Sequence, residues 1–171
     1  LVSPDGLIAT NSHVVGMASK IFVTLSDGKN FQAALLGTDN LHDIALLKID
    51  APGRLPYLGF ADDVLLGETV VSIGNPFGLQ NSVTAGIISG TDRTFTTQPQ
   101  IEALKGLLQT DASINIGSSG GALVNLEGNL VGMNIAMLQD AQSVGFAVPA
   151  KWVRKMLEEY EKMRKSAKKG A

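Results

Sequence analysis

The sequence Asn115-Ile116-Gly117-Ser118-Ser119-Gly120-Gly121-Ala122-Leu123 is the most informative stretch of the chain, because it places a serine inside a run of glycines. Glycines at such a position allow a tight backbone turn and leave N–H groups free to face a substrate. A serine hydroxyl is a poor nucleophile by itself and needs a base nearby. The chain contains 2 histidines, and one of them, His13, lies in the segment 9–15. Ser119 and His13 are therefore the pair to test.

The order of residues along the chain separates two serine-hydrolase arrangements. The segment 117–121 also fits G-x-S-x-G, the nucleophile elbow of α/β-hydrolases, in which the acid and the histidine follow the serine. Both histidines of this chain precede Ser119, which excludes that arrangement. The chymotrypsin-type order is His, Asp, Ser, and it requires an aspartate between His13 and Ser119. Asp43 opens the apolar run 43–49 and is the best candidate.

Short apolar runs separated by turn residues predict an all-β chain with one helix near its C-terminal end. Turn residues at 26–29 and 126–129 predict hairpins, and the prolines within 51–56 predict a linker. Apolar residues recur at helical spacing over 151–165, so we expect a helix there, packed on the second half, with a frayed tail beyond it. The expected strands are 7–10, 21–25, 31–36, 44–49, 69–73, 83–89, 107–110, 122–125, 130–136 and 144–148.

Composition and charge set bounds on the function without discriminating between hydrolases. The formal net charge of -2, without a basic tract, argues against nucleic acid as a partner. The chain lacks cysteine, and no apolar run is long enough to span a membrane. No cluster has metal-ligand spacing, so we expect neither a metal nor a cofactor. The chain begins with Leu1 and shows no signal peptide, so we expect a processed or trimmed piece.

The chain resembles the HtrA (Deg) family of serine proteases in blocks that lie in register from about residue 6 to residue 149. These blocks are Thr10-Asn11-Ser12-His13-Val14-Val15, Asp43-Ile44-Ala45-Leu46-Leu47, Gly74-Asn75-Pro76-Phe77-Gly78, Gln109-Thr110-Asp111-Ala112, Gly117-Ser118-Ser119-Gly120-Gly121 and Gly145-Phe146-Ala147-Val148-Pro149. The resemblance implies a chymotrypsin-like fold of two antiparallel six-stranded β-barrels followed by the helix. Residues 1–60, with a truncated first strand, would form one barrel, residues 61–150 the other, and residues 151–171 the helix and tail.

The resemblance also implies an activity: an extracytoplasmic, for example periplasmic, serine endopeptidase that cleaves unfolded or damaged proteins. His13, Asp43 and Ser119 correspond to the catalytic triad, and the N–H groups of Gly117 and Ser119 to the oxyanion hole. Unfolded polypeptides are then the expected partners, with homotrimeric assembly as one implied arrangement. In the family a PDZ domain follows the helix, and the present sequence ends before it. A non-catalytic or latent holdase that binds unfolded segments in the same cleft is the alternative.

Specificity and regulation follow from the resemblance at four further positions. Ile114, Leu138 and Val144 would line an apolar pocket for the residue before the cleaved bond, which favours Val, Ile or Ala there. As single residues, each could equally be part of an ordinary core. Arg93 lies in the segment 91–106, which is expected to be a long loop, and matches a family arginine that relays activating signals to the oxyanion loop. A solvated arginine without such a role is the equal alternative.

Overall fold

A computed structural model of the chain describes residues 1–16, 18–75, 82–96, 103–137 and 143–169. Ten strands and two helices lie within these ranges, and all the expected strands and the expected helix are among them. The elements are β1 (Leu7–Thr10), α1 (Ser12–Val15), β2 (Ile21–Thr24), β3 (Asn30–Asp39), β4 (Ile44–Ile49), β5 (Thr69–Gly74), β6 (Ser82–Phe95), β7 (Leu104–Thr110), β8 (Ala122–Asn125), β9 (Leu130–Met137), β10 (Gly145–Pro149) and α2 (Ala150–Lys169).

The first half of the chain forms an antiparallel sheet of four strands in the order β1-β4-β3-β2. β1 pairs only with β4 and β2 only with β3, so neither outer edge has a partner strand within the described ranges. The expected six-stranded closure of this half is therefore not seen here. Residues 51–59 after β4 form no strand, because Pro52 and Pro56 cannot donate to a ladder.

The second half closes into a barrel with the strand order β10-β7-β6-β5-β8-β9, which has the expected six strands. Its interior contains a buried apolar cluster contributed by all six strands: Val70, Ile88, Leu108, Leu123, Val131 and Ala147. The turn at 126–129 closes the β8–β9 hairpin through the N–H of Asn125, which donates to the carbonyl of Asn129 at 3.0 Å. The barrel thus gives the glycine-rich segment before β8 a rigid base.

Strand β4 joins the two halves because both of its faces are buried. Ala45, Leu47 and Ile49 pack into the core of the first sheet. Ile44 and Leu46 face the other way, into a cluster shared with the barrel and α2. This double burial explains why the run after Asp43 is apolar without alternation. A cleft lies between sheet and barrel, and one of its lining residues, Thr10, pairs with Ala45 of β4.

Several element boundaries differ from the sequence prediction. The segment 91–106 is not one long loop, because β6 continues to Phe95 and β7 already begins at Leu104. The register of the β6–β7 pair shifts several times, and Asp92 has a φ of 54°, so the ladder is too irregular to show as alternation. Helix α2 also extends beyond the expected end, to Lys169. No helix in the described part of the chain is long and apolar enough to cross a membrane.

Candidate active site

The first component of the site is the pair His13 and Asp43, which lies on the first sheet. His13 belongs to the short helix α1, which follows β1, and Asp43 directly precedes β4, the strand paired with β1. The Nδ1 atom of His13 lies 2.6 Å from Oδ2 of Asp43. Because the ionised carboxylate accepts at Nδ1–H, the lone pair of the neutral ring lies on Nε2, the atom a general base uses.

The carboxylate of Asp43 is held by several donors at once. Its Oδ1 accepts from the backbone N–H of His13 at 2.9 Å and from the hydroxyl of Ser12 at 2.5 Å. Asp43 has a φ of 54°, a left-handed conformation that aspartate adopts more readily than most residues. The residue is only 7% exposed, so its orientation is fixed by packing as well as by these bonds.

The His13–Asp43 pair shifts the pKa of both groups toward their charged forms. The hydrogen bond that His13 donates to Asp43 raises the pKa of His13 above its ordinary value of 6.5, although partial burial opposes the shift. Burial by itself would raise the pKa of Asp43, but the hydrogen bonds from His13 and Ser12 outweigh it and lower that pKa. Asp43 is therefore a carboxylate suited to stabilising an imidazolium.

The second component is the segment between β7 and β8, which carries Ser119. Gly117 has a φ of 93°, in the region that side-chain-bearing residues rarely adopt. The N–H of Ser118 donates to the carbonyl of Asn115 at 2.9 Å and closes the turn. In the described part of the chain, the N–H groups of Gly117 and Ser119 donate to no acceptor. These two donors remain available to an oxygen placed beside Ser119.

The hydroxyl of Ser119 donates to the backbone carbonyl of Ile135, with 2.8 Å between the oxygens. A β-bulge makes that carbonyl available. Phe146 of β10 pairs with Ala136, and Ala147 pairs with Asn134, so Ile135 is left out of the β9–β10 register. Among the described residues, no hydrogen bond joins Ser119 to His13.

Residues beside His13 and Ser119 contact each other across the cleft. Oδ1 of Asn11 accepts from the N–H of Gly120 at 2.7 Å, and the two residues are 109 positions apart in sequence. A Cβ atom on Gly120 would lie 2.3 Å from Oγ1 of Thr10, so only glycine fits there. Sequence reasoning missed the role of Asn11, because its partner Gly120 lies far away along the chain.

An open cavity of about 620 Å³ lies beside Ser119, between the two halves. The first sheet contributes Thr10 and the β2–β3 turn, and the barrel contributes the end of β5 and the Ser119 segment. The lining residues are Thr10, Thr24, Leu25, Ser26, Gly28, Ile73, Gly74, Asn75, Gly117, Ser119, Gly120 and Gly121. Glycine backbone and short side chains dominate this list, so an extended polypeptide could approach the backbone closely.

The other expected site residues lie in different surroundings. Ile114 is 4% exposed, and its side chain lies against Gly145, where an added Cβ would meet it at 2.9 Å. Val144 directly precedes Gly145 and packs on the main core. Leu138 lies outside the described residues. Arg93 is on β6, and its Nε donates to Oε1 of Gln109 on β7 at 2.9 Å.

The second histidine, His42, has a structural environment. Nδ1 of His42 lies 2.7 Å from Oδ2 of Asp39, and the ring stacks on Trp152 of α2 with 4.2 Å between centroids. His42 thus helps to fix the helix on the first sheet. Across the described residues, no group of three or more His, Cys, Asp or Glu side chains is placed to hold a metal ion.

Comparison with known proteins gives close matches over most of the chain. The family model of the trypsin-like peptidase domain matches residues 1–133. The periplasmic pH-dependent serine endoprotease DegQ of Escherichia coli is 42% identical over 159 residues, which cover 90% of this chain and 34% of DegQ. Serine protease HTRA1 of Xenopus tropicalis is 45% identical over 161 residues, covering 93% of this chain and 35% of the relative. The chain therefore spans about a third of these relatives.

Solved structures agree with the sequence comparison. The HtrA-type protease AlgW, solved with a decapeptide, superposes with a TM-score of 0.84 at 40% identity, over 95% of this chain and 50% of that one. The serine endoprotease from Yersinia pestis gives a TM-score of 0.81 at 41% identity, over 94% of this chain and 55% of that one. These matches confirm the chymotrypsin-like, all-β fold expected from the sequence. The chain belongs to the trypsin-like peptidase family, within its HtrA branch.

Proposed function

We propose that this chain is the catalytic domain of a serine endopeptidase that cleaves unfolded or damaged polypeptides through an acyl-enzyme. The observation that carries the proposal is the 2.6 Å contact between Nδ1 of His13 and Oδ2 of Asp43, on the sheet that faces Ser119 across the cleft. A neutral imidazole held in this tautomer can accept the proton of a serine hydroxyl. The two free N–H groups at Gly117 and Ser119 support the same proposal.

In the proposed reaction, the hydroxyl of Ser119 leaves the carbonyl of Ile135 and turns toward Nε2 of His13. Oγ attacks the peptide carbonyl carbon as His13 takes the hydroxyl proton, and the N–H groups of Gly117 and Ser119 stabilise the resulting oxyanion. His13 then gives that proton to the leaving amine, and the peptide bond breaks. A water molecule then attacks the acyl ester left on Ser119, with His13 again taking and returning a proton. The peptide fragment leaves as a carboxylic acid and the hydroxyl of Ser119 is restored. Asp43 stabilises the imidazolium in both halves of the reaction.

We propose that the residue before the cleaved bond is small or aliphatic. Ile114 and Val144, which are both apolar, flank Gly145, and Leu138 would complete the pocket. An apolar pocket without a counter-charge penalises a buried Lys, Arg, Asp or Glu. A peptide library should therefore show cleavage mainly after Val, Ile or Ala, and cleavage mainly after charged residues would contradict this preference.

We propose further that Arg93 influences the active site through the β6–β7 pair. Its guanidinium bonds to Gln109, and the chain leads from there through Thr110 into the segment that carries Ser119. Comparing Arg93→Ala with wild type, with and without a peptide activator, tests the role. A lower activated rate is expected, and equal rates in both conditions would assign Arg93 to the surface.

We propose an extracytoplasmic location, because the similar protein DegQ is named a periplasmic endoprotease. We propose unfolded proteins as substrates, because an extended polypeptide fits the open cavity beside Ser119. Homotrimeric assembly is part of the same proposal. Size-exclusion chromatography with light scattering would show three times the mass of 17.9 kDa for a trimer and one times that mass for a monomer.

The activity is tested by casein cleavage together with labelling by a fluorophosphonate, which reacts with an activated serine. Wild type should cleave and be labelled, and Ser119→Ala should do neither. Ser118→Ala is the matched control, because this adjacent serine is 4% exposed and should leave the label in place. A folded wild-type protein that binds unfolded casein without being labelled would instead support the holdase. The bond from Ser119 to Ile135 is the observation that favours such a latent form.

A further inference from the structure

Asn11 is a fully buried polar side chain that uses both ends of its carboxamide. It is 0% exposed, in the turn between β1 and α1. Its Nδ2 donates to the backbone carbonyl of Asp43 at 3.0 Å, and its Oδ1 accepts from the N–H of Gly120 at 2.7 Å. One side chain therefore bonds to the backbone of the candidate acid and to the residue that follows the candidate nucleophile.

Two further contacts show what the bond between Asn11 and Gly120 adds. The N–H of Gly120 also donates to the carbonyl of Asn134 at 2.9 Å, within its own barrel. Asn134 ties the nucleophile segment to β9, whereas Asn11 ties it to the other half of the molecule. Because Gly120 has no Cβ, Thr10 can approach it closely enough for the bond between Asn11 and Gly120 to form.

We propose that Asn11 is a positioning residue that sets the distance between Ser119 and the His13–Asp43 pair by linking the two halves at Gly120. The inference rests on the proposed function, since it concerns how that site is aligned. The role requires one donor and one acceptor on the same short side chain, which a carboxamide supplies. An aspartate would place a second acceptor against the carbonyl of Asp43, and an alanine would satisfy neither partner.

The side chains of the His13–Asp43 pair are held together by contacts that do not involve Asn11. The carboxylate of Asp43 is held by the hydroxyl of Ser12 and by the backbone and ring of His13. Its carbonyl also accepts from the N–H of Ser12 at 3.2 Å. Loss of the Asn11 side chain should therefore displace the nucleophile and leave the protonation of His13 as it is.

The test compares Asn11→Ala with wild type by the rate of fluorophosphonate labelling and by peptide kinetics. The labelling rate and kcat should fall on the order of 10- to 100-fold, with KM changed by less than about twofold. The chain has 2 histidines, so NMR can resolve the ring of His13 and follow its titration. The midpoint of His13 should match that of wild type.

Asn125→Ala is the control, because this asparagine also bonds to a backbone N–H, that of Asn129 at 2.9 Å, in the β8–β9 turn. It should keep the wild-type labelling rate. If Asn11→Ala does not fold, Asn11→Ser replaces it, with a smaller expected loss because a hydroxyl can serve one partner. Hydrogen exchange in the wild type gives a reading without mutation, and the Gly120 amide should exchange as slowly as barrel amides.

The remaining outcomes contradict either the positioning role of Asn11 or the proposed function. Folded Asn11→Ala labelled at the wild-type rate would overturn the positioning role, and so would fast exchange at Gly120. A fall in rate accompanied by a shifted His13 midpoint would mean that Asn11 acts through the base, which also overturns it. A folded wild-type protein that is neither labelled nor active overturns the proposed function itself, and the inference with it.

Discussion

The carboxylate of Asp43 determines how the candidate base behaves at the scale of single residues. It holds the His13 ring in one tautomer and raises the pKa of that ring through their hydrogen bond. The sequence predicted both residues, from the order His, Asp, Ser along the chain and from the apolar run after Asp43. It could not predict the donors around the carboxylate, since they depend on how β1 and β4 pair.

The rate of peptide cleavage should rise with pH through the pKa of His13, because only the neutral ring can take the proton of Ser119. The hydrogen bond to Asp43 raises this pKa, so the midpoint of kcat/KM should lie above 6.5. Steady-state kinetics across the acidic and neutral range would measure it. A midpoint at or below 6.5 would show that the pair is not formed in solution.

The same pair should make folding stability depend on pH in a definite direction. The folded pKa of His13 is raised, so its contribution is complete below its ordinary value of 6.5 and is lost as pH rises through the folded value. The pKa of Asp43 is lowered, so its contribution is complete above 3.8 and is lost as pH falls through the folded value. The free energies of unfolding of wild type and His13→Gln, measured by urea denaturation, should therefore differ most at pH values between 3.8 and 6.5.

Asp43→Asn should reduce kcat on the order of 10⁴-fold while the chain remains folded. An amide at this position can donate to Nδ1 of His13, which favours the tautomer that carries its proton on Nε2. In that tautomer Nε2 has no lone pair with which to accept the proton of Ser119. The activity of Asp50→Asn, a substitution at an exposed strand end, provides the matched control. A loss of less than tenfold in Asp43→Asn would remove Asp43 from the triad.

At the scale of elements, the sequence predicted strands well where burial alternates or is continuous, and poorly where the ladder is irregular. β4 was evident from its apolar run, and the turn at 126–129 from its glycine. The end of β6 was missed, because 91–94 is polar and shifts register against β7. Asn11 was missed for another reason: its partner Gly120 is 109 residues away, and no local pattern records such a contact.

Helix α2 should contribute to stability mainly through its buried face. Val153 is 1% exposed and lies in the cluster shared by β4, the barrel and the helix. Val153→Ala should lower the free energy of unfolding by about 1–3 kcal/mol, measured by urea denaturation. Met163→Ala, at a side chain that is 65% exposed, should change it by less than about 0.5 kcal/mol. Equal effects of the two substitutions would contradict this docking.

At the scale of the whole molecule, the candidate site exists only where two units meet. The sheet supplies His13 and Asp43, and the barrel supplies Ser119. Leu46 is 2% exposed and belongs to the cluster between them. The single tryptophan, Trp152, stacks on His42 of the first half, so its fluorescence reports whether the sheet and α2 are docked.

In Leu46→Ala, the sheet should separate from the barrel at a lower urea concentration than the one at which the barrel unfolds. The expected loss is about 2–5 kcal/mol, with fluorophosphonate labelling and Trp152 fluorescence lost at lower urea than the circular dichroism of the barrel. Leu108→Ala removes the same groups from the barrel interior, so it should shift all three signals together. Coincident transitions in Leu46→Ala would show that sheet and barrel unfold as one cooperative unit.

The bulge at Ile135 has a consequence for timing. To leave its carbonyl, the hydroxyl of Ser119 needs only a rotation about one side-chain bond and the loss of a single hydrogen bond. Such a rotation takes picoseconds to nanoseconds when the side chain has room, whereas typical enzymes turn over about 1 to 10³ times per second. The hydroxyl of the candidate nucleophile can therefore leave and regain this carbonyl many times within the period of a typical turnover. Slow activation of this protein would have to come from backbone rearrangement, which takes microseconds or longer.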